Sequence, residues 1–327
     1  MSFFYSQLIQ HLPYPTGSYA GKTVVVTGSN TGLGKEAARH FARLGASRLI
    51  LAVRSLDKGR AAKADIEASV PGLAAEASVV QVWQLDMGSY ASVQAFAARV
   101  DTELDRVDVF LANAGLARAR YSVVEDNEEM ITVNVVATFL LAALVMPKLK
   151  STAAQTGSRP TLTITSSGVH GHTQFPQKSA PHGRIFATIN DKTTAERHWA
   201  EQYPVSKLLE VLCVRALAER HPALPVTVNC VNPGLCQSEL ARDVPGWAFW
   251  LRKLLLARST EAGSRTLVHA ASPAVAADSH GQYLSDCAVS APAPLVTGAE
   301  GKEAQDRVWE ELVAKLEAIR PGVMKNL

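Results

Sequence analysis

Short runs of β-branched and aliphatic residues alternate along the chain with longer stretches of helical periodicity. The short runs predict strands at residues 22–27, 48–53, 79–85, 107–112, 161–165, 225–231 and 281–284. The longer stretches predict helices at residues 32–45, 57–69, 89–104, 127–149, 201–220 and 303–319. Strands separated by helices pair in parallel through right-handed crossovers. The pattern therefore predicts a single α/β domain, with a doubly wound, mostly parallel seven-stranded sheet and helices on both faces.

Two segments interrupt this alternation. Residues 168–200 are rich in Gly, Pro, His and Thr, and residues 235–258 carry Trp247, Phe249 and Trp250 in an apolar stretch. Both follow the ends of strands, where doubly wound sheets bind ligands, so we expect them to form loops of a binding site. The aromatic stretch is either an apolar lid or a core-packing helix. The expected organisation is an N-terminal extension, one α/β domain and a C-terminal tail, at residues 1–20, 21–320 and 321–327.

Composition places the chain among globular proteins. Hydrophobic residues make up 47% of the 327 positions and charged residues 19%, which excludes a disordered or collagen-like chain. The 33 Lys and Arg exceed the 30 Asp and Glu by only three, and this balance does not favour a nucleic-acid partner. The four cysteines show neither a C-x-x-C pair nor zinc spacing, so we expect reduced thiols and a cytoplasmic protein.

Two apolar segments leave the question of membrane contact open. Residues 130–147 carry no charge and form either a membrane span or a fully buried helix. Thr132, Asn134 and Thr138 interrupt the stretch and favour the buried helix. The N-terminal segment contains Phe3, Phe4, Tyr5, Leu8 and Ile9, which could pack on the body, close a pocket or touch a membrane surface.

A glycine-rich turn joins the first predicted strand to the first long helix. Glycines at such a junction permit a tight turn and let the backbone approach a pyrophosphate, whose charge then faces the helix N-terminus. The position of the turn, in the first βαβ unit, favours phosphate binding over an idle turn. The candidate cofactor-binding residues in the turn are Gly28, Asn30, Thr31, Gly32, Leu33 and Gly34.

The ends of the second and third strands carry two further candidates. Arg54 stands near the point where a site for NAD usually places an acidic residue, and its guanidinium would pair with a 2′-phosphate. We therefore expect NADP(H), the alternative being a surface arginine. Asp86 either accepts a hydrogen bond from an adenine amino group or caps the helix that begins near Ser89.

Tyr203 and Lys207 are four residues apart and so lie on one face of a helix, which Pro204 allows only if the helix starts at about 201–204. Ser166 and Ser167 end the preceding predicted strand. Asn134 lies inside an apolar helix, where an amide needs a hydrogen-bond partner.

Together these residues resemble the short-chain dehydrogenase/reductase family, whose fold is a Rossmann fold. Within the family, the chain is most similar to retinol dehydrogenases and related fungal carbonyl reductases, which implies a role in secondary metabolism. The resemblance runs from about residue 22 to residue 283. The matching pieces, in family order, are Thr27-Gly28-x-x-x-Gly32-x-Gly34, Asp86, Ala112-Asn113-Ala114-Gly115, Asn134, Ser167, Tyr203-x-x-x-Lys207 and Asn232-Pro233-Gly234.

The resemblance implies catalytic roles for four residues. Tyr203 matches the general acid/base, and Lys207 and the oxidised nicotinamide favour its phenolate. Ser167, rather than Ser166, matches the serine that hydrogen-bonds the substrate oxygen. Asn134 matches the residue that holds a helix kink and a water linking Lys207 to solvent.

The resemblance also implies further cofactor contacts and a reaction. Asn113 and Gly115 match the support for the adenine ribose, and Lys207 also belongs to the cofactor site. Pro233, Gly234 and Ser238 match the segment at the nicotinamide end. The implied activity is NADP(H)-dependent interconversion of a bulky lipophilic ketone or aldehyde and its alcohol, in a protein that could form homodimers through helices 127–149 and 201–220. The alternatives are a silent NADP(H)-sensing or scaffolding protein, or an epimerase or dehydratase.

One departure from compact family members concerns the predicted loop at 168–200. Tyr203 follows Ser167 by 36 positions, and so long a connection beside a site is usually functional. Its His170, His172 and His182 have no accompanying thiol or carboxylate ligands, so we expect polar lining or exposed residues rather than a metal site.

Overall fold

The computed structural model describes residues 3–73, 79–238, 240 and 256–327. The strands are β1 (Thr23–Thr27), β2 (Arg48–Val53), β3 (Val80–Gln84), β4 (Val109–Ala112), β5 (Val123–Val124), β6 (Asn127–Glu128), β7 (Thr161–Thr165), β8 (Thr227–Asn232), β9 (Tyr283–Ser285) and β10 (Ala288–Ser290). The main sheet has the order β10-β9-β8-β7-β4-β1-β2-β3, and β5 pairs with β6 separately. Seven strands of the main sheet are parallel, as predicted. Strand β10 adds an antiparallel edge that the sequence pattern did not indicate.

Helices cover both faces of this sheet, which confirms the doubly wound α/β fold. Those described are α1 (Phe3–Leu8), α2 (Gly32–Arg43), α3 (Leu56–Ser69), α4 (Tyr90–Glu103), α5 (Ala137–Thr156), α6 (Ile185–Asn190), α7 (Lys192–Arg197), α8 (Trp199–Arg220), α9 (Thr260–Ala270), α10 (Pro273–Ala276), α11 (Pro294–Thr297) and α12 (Ala299–Ile319). A π-helix (Ile131–Val136) precedes α5, and 3₁₀ helices occur at Gly168–His172, Pro176–Ser179 and Val323–Asn326.

The core divides into two apolar layers because successive side chains of a strand point to opposite faces. Val25 of β1 belongs to the layer beneath α4, α5, α8 and α12, whereas Val24 and Val26 face the layer beneath α2, α3 and α9. All three side chains are fully buried. Parallel strands covered on both faces are expected to be apolar throughout, as β1 is.

The uncharged segment at 130–147 is a core helix in this fold. The helix Ile131–Thr156 is long and apolar enough to cross a membrane, but 83% of its most apolar window is buried inside the protein. The prediction of a buried helix is therefore confirmed. The predicted start at residue 127 was wrong, because residues 127–128 pair with β5 before the π-helix begins.

The segment at 168–200 is more regular than predicted. It contains two 3₁₀ helices and the short helices α6 and α7. The first amides of α6, those of Ile185 and Phe186, donate to the Glu311 carboxylate of α12 at 2.9 Å each. Because this cap comes from a distant part of the chain, local sequence gave no start signal for the helix.

Strand order places a ligand crevice at the centre of the sheet. The chain runs outward from β1 to β2 and β3 on one side, and from β4 to β7, β8 and β9 on the other. The order therefore reverses between β1 and β4, and sheets of this kind bind ligands beyond the carboxyl ends of their strands at such a reversal. The predicted aromatic lid, Trp247, Phe249 and Trp250, lies outside the described residues, and the predicted domain limits stay a prediction.

Candidate active site

A cavity of about 1230 Å³ opens at the carboxyl ends of the central strands. It brings together every residue that the sequence assigned to cofactor binding and three of the four assigned to catalysis. The predicted residues that line it are Gly28, Asn30, Thr31, Gly32, Leu33, Gly34, Arg54, Asp86, Asn113, Gly115, Ser167, Tyr203, Lys207, Pro233, Gly234 and Ser238. Asn134 is the exception, since it lies behind the wall and is fully buried.

The glycine turn has a shape that side chains would destroy. Gly28 has φ +66°, and a Cβ there would lie 2.9 Å from the Ala114 Cα. A Cβ on Gly34 would lie 2.6 Å from the Gly28 carbonyl oxygen. Thr31, the residue that caps α2, makes no side-chain capping hydrogen bond within the described part of the chain. The open turn and the uncapped helix N-terminus fit the diphosphate of a dinucleotide.

The loop after β4 is tied to this turn. The Thr27 hydroxyl oxygen accepts hydrogen bonds from the Asn113 and Ala114 amides at 3.0 and 2.9 Å. The Asn113 side chain donates to the Thr27 carbonyl oxygen at 2.9 Å. These bonds fix the carboxyl ends of β1 and β4 against each other, so both walls of the crevice are held in place.

Arg54 and Asp86 lie at the rim beyond β2 and β3. Arg54 is exposed at the cavity. One Asp86 oxygen accepts from the Gly88 amide at 2.9 Å, while Ser89 caps α4 and accepts from the Ser92 amide. The helix-cap alternative for Asp86 is therefore wrong, because Ser89 holds that position.

Tyr203 and Lys207 project from one face of α8, as their spacing predicted. The helix begins at Trp199, which places Pro204 in the second turn rather than at the predicted start. The Lys207 ammonium lies 5.8 Å from the centre of the Tyr203 ring. Burial raises the pKa of Tyr203, whereas Lys207 and a hydrogen bond with Ser167 lower it.

The two serines after β7 have different partners. Ser167 hydrogen-bonds Tyr203 and also caps the 3₁₀ helix that follows it, accepting from the Val169 amide at 3.3 Å. Ser166 is buried and donates to the Lys207 backbone carbonyl at 3.0 Å. Only the Ser167 hydroxyl therefore lies beside the phenol, which agrees with the choice made from the sequence.

Asn134 braces the wall behind the lysine. Its amide donates to the Leu116 carbonyl at 2.9 Å and to the Ser206 hydroxyl at 3.0 Å, and its oxygen accepts from the Leu116 amide at 2.9 Å. A Cβ on Gly115 would lie 3.3 Å from the Asn134 oxygen and 3.5 Å from the Lys207 ammonium. Because Gly115 has no side chain, its backbone can lie close to both Asn134 and Lys207.

Part of the wall comes from the N-terminal segment, for which the sequence left open packing on the body, closure of a pocket and contact with a membrane. Phe3, Ser6 and Gln7 of α1 line the cavity, and Ser6 donates to Asp286 at 2.7 Å. Arg258 is buried between them: it pairs with Asp286 at 2.6 Å and donates to the Ser6 carbonyl. The apolar side chains around Ser6 and Gln7 were the sequence signal for this segment, and they did not identify the two polar residues, Arg258 or Asp286.

The loop histidines have separate environments. His170 is buried and uses both ring nitrogens, one with the Ser167 carbonyl at 2.8 Å and one with the Ala293 amide at 2.9 Å. His172 lines the cavity, and His182 is exposed beside Glu310. Among the residues that the structure describes, no group of three or more His, Cys, Asp or Glu could hold a metal ion.

Comparison with known proteins identifies the family. The short chain dehydrogenase family matches residues 22–180. A short chain dehydrogenase/reductase of Cryptosporiopsis sp. (strain 8999), dmxR8, is 67% identical over 100% of both chains. The short-chain dehydrogenase anuD of Penicillium roqueforti (strain FM164) is 41% identical over 99% of this chain and 84% of its own.

Solved structures share the fold at lower identity. A 7α-hydroxysteroid dehydrogenase complexed with NADH and 7-oxo glycochenodeoxycholic acid has a TM-score of 0.62 and 21% identity, over 82% of this chain and 93% of its own. A short chain dehydrogenase from Shigella flexneri 2a str. 301 complexed with NADP has a TM-score of 0.57 and 22% identity, over 82% of this chain and 97% of its own. With 67% identity to one member along its whole length, the chain belongs to the short-chain dehydrogenase/reductase family.

Proposed function

We propose that the protein is an NADP(H)-dependent oxidoreductase that interconverts a bulky lipophilic carbonyl and its alcohol by hydride transfer, with Tyr203 as the general acid/base. The observation that carries the proposal is the cluster of Tyr203, Ser167 and Lys207 in the same cavity as the glycine turn. One cavity thus offers both a binding surface for a dinucleotide and a side chain that can act as acid or base.

In such enzymes the cofactor supplies the redox chemistry, and the protein binds and orients the reactants. When bound, reduced nicotinamide supplies the hydride that adds to the carbonyl carbon. The turn at Gly28 and Gly34 and the N-terminus of α2 would hold the diphosphate. Asn113 and Asp86 line the adenosine end that the resemblance implies, and Gly234 lines the nicotinamide end.

The side chains at the other end of the cavity move the proton. In reduction, the Tyr203 phenol donates its proton to the carbonyl oxygen, which Ser167 holds by a hydrogen bond. Lys207 stabilises the resulting phenolate. Asn134 is proposed to act through its hydrogen bonds to Leu116 and Ser206, which hold the π-helix in place and so preserve a water path from Lys207 to solvent. The reverse sequence oxidises the alcohol.

Apolar lining supports a lipophilic substrate. Leu116, Val133, Val169, Trp199 and Tyr283 all border the cavity near the catalytic cluster. Large apolar pockets with a few convergent polar groups are typical of sites for small apolar ligands.

The direct test is turnover. Purified protein is mixed with NADPH and a panel of lipophilic ketones and aldehydes, and the loss of reduced-nicotinamide absorbance is followed together with formation of the alcohol. Binding of NADPH without turnover of any member would favour the silent sensing protein. A product with no redox change would favour the epimerase or dehydratase.

Arg54→Asp is expected to weaken NADPH binding far more than NADH binding. The substitution removes a charge-assisted contact to the 2′-phosphate and adds a repulsive charge, an effect of about 3 kcal/mol or roughly 100-fold in Kd. Fluorescence titration with both cofactors measures it, and Arg60→Asp, an exposed arginine of α3 beside Asp57, is the control. An equal change for NADPH and NADH would exclude the phosphate contact.

Gln7→Ala is expected to raise by about tenfold the KM for a carbonyl substrate that also carries a hydroxyl or N–H donor. Gln7 is 9% exposed and lines the cavity, and its side-chain oxygen has no partner among the described atoms. A buried amide oxygen without a partner is suited to accept a hydrogen bond from a ligand. Steady-state kinetics beside Leu8→Ala, an exposed position of the same helix, would contradict this if both variants matched the wild type.

Cytoplasmic location and homodimerisation also remain proposals. Fifteen of the 22 residues of α8 are already buried within one chain, so this helix has little surface left for a second copy. Sedimentation at several concentrations decides the oligomeric state.

A further inference from the structure

A buried carboxylate lies next to the catalytic lysine. Glu210, one turn after Lys207 on α8, accepts a hydrogen bond from the lysine ammonium at 2.8 Å. Glu210 is 2% exposed and Lys207 is 4% exposed. The ammonium also donates to the Thr165 carbonyl at 3.0 Å. Burying the two charges costs hydration free energy that offsets much of their attraction. A gain in folding stability therefore does not by itself explain this ion pair.

We propose that Glu210 is a positioning residue whose carboxylate holds the Lys207 ammonium and whose negative charge keeps the Tyr203 phenol in its proton-donating form, which favours carbonyl reduction. This inference rests on the proposed function, since it concerns the acid/base pair of that reaction. Glu210 acts through Lys207 and does not line the cavity.

The electrostatic effects have definite signs. Burial raises the pKa of Tyr203 above its ordinary value; Lys207 opposes this rise, and the charge of Glu210 adds to it. Burial raises the pKa of Glu210 itself to about 7, against the lowering effect of Lys207. Burial lowers the pKa of Lys207, but Glu210 and Tyr203 raise it, and it lies above its ordinary value. Glu210 is therefore about half ionised at pH 7 and carries its full negative charge only at alkaline pH.

Burial shifts the pKa values of the other titratable groups near Glu210 toward their neutral forms. Cys213 on α8 and Cys230 on β8 are close enough for Glu210 to affect them, and burial raises the pKa of both thiols. The 3₁₀ helix Gly168–His172 packs on α8 and contributes His170, whose pKa burial lowers. Lys207 and Tyr203 thus remain the groups through which the Glu210 charge affects catalysis.

The test is the pH dependence of kcat/KM in Glu210→Gln. Glutamine keeps an oxygen that accepts from Lys207 but removes the charge, so the pKa of Tyr203 falls. Reduction needs the protonated phenol and is lost as pH rises through that pKa. Its alkaline midpoint should therefore move to lower pH, by about one unit. Oxidation needs the phenolate, and its rate near neutral pH should rise. Below the pKa of Glu210 the two proteins should converge, because the wild-type carboxyl is then also neutral.

Two variants control for other effects. Glu210→Asp keeps the charge and should keep the midpoint near that of the wild type. Glu219→Gln removes an exposed carboxylate of the same helix, paired with Lys302, and should leave the midpoint unchanged. A Glu210→Gln midpoint that stays in place or moves to higher pH would overturn the inference.

A measurement without turnover separates this inference from the proposed function. In protein labelled with ¹³C at tyrosine Cζ, the Tyr203 signal is assigned by its absence in Tyr203→Phe and titrated with and without NADP⁺. Glu210→Gln should titrate at lower pH than the wild type, and equal titrations would overturn the inference even if the enzyme is active. A wild type that reduces no carbonyl would instead refute the proposed function.

Discussion

Tyr203→Phe is expected to lose nearly all turnover while still binding NADPH. The substitution removes one oxygen, the proposed proton donor beside Ser167 and Lys207, and leaves the ring in place. General acid/base groups contribute about 10²- to 10⁴-fold to rate, so kcat for reduction should fall by that factor. Little change is expected in cofactor affinity, because the substitution leaves the glycine turn and Lys207 unchanged.

The matched control is Tyr19→Phe. Tyr19 is another buried tyrosine, 3% exposed, and it packs against Phe41 away from the cavity. Removing its hydroxyl should leave kcat unchanged. Steady-state kinetics at fixed pH and a fluorescence titration with NADPH give both quantities. A Tyr203→Phe enzyme with the wild-type rate would show that another group donates the proton.

Gly34→Ala should abolish useful cofactor affinity. The new methyl group would lie 2.6 Å from the Gly28 carbonyl oxygen, and that oxygen belongs to backbone. The turn must therefore shift, and it is the surface on which the diphosphate is proposed to rest. Overpacking of this kind costs about 3 kcal/mol, which corresponds to a roughly 100-fold weaker Kd for NADPH.

Gly298→Ala provides the comparison for this variant. At Gly298, before α12, φ is −75° and a Cβ would lie 3.5 Å from the nearest atom, an ordinary contact. Kd from fluorescence titration and the melting temperature of the free proteins are measured for both variants. A Gly34→Ala protein that is folded and binds NADPH normally would mean that the turn is not the diphosphate site.

The sequence predicted the sheet and the glycine turn because both depend on local pattern. Strand β10 was missed for a local reason as well. It is joined to β9 through Asp286 and Cys287, which have φ values of 52° and 58°. A two-residue hairpin turn with this geometry normally uses Asn or Asp followed by Gly. Here Asp stands at the first position of the turn, but Cys replaces the expected Gly at the second. The strand itself is too short and too exposed to show an apolar alternation.

The missed parts of the site depend on tertiary contact. In the sequence, Glu210 is a single acidic residue in an apolar helical run. Only the 2.8 Å contact with Lys207 in the folded chain connects it to the candidate site. Gln7 joined the site because Arg258 and Asp286 hold α1 against the body. No spacing rule connects residues so far apart in the chain, so one sequence read alone could not have assigned them.

The bond between Ser6 and Asp286 also bears on how the enzyme matures. It closes a span of 280 positions, so the N-terminal wall joins residues that leave the ribosome early to partners that leave 280 positions later. Domains can begin to fold during synthesis, but this wall can close only after position 286 has emerged. A nascent chain arrested before that point would have its glycine turn and its tyrosine, and its reaction chamber would still be open to water on one side.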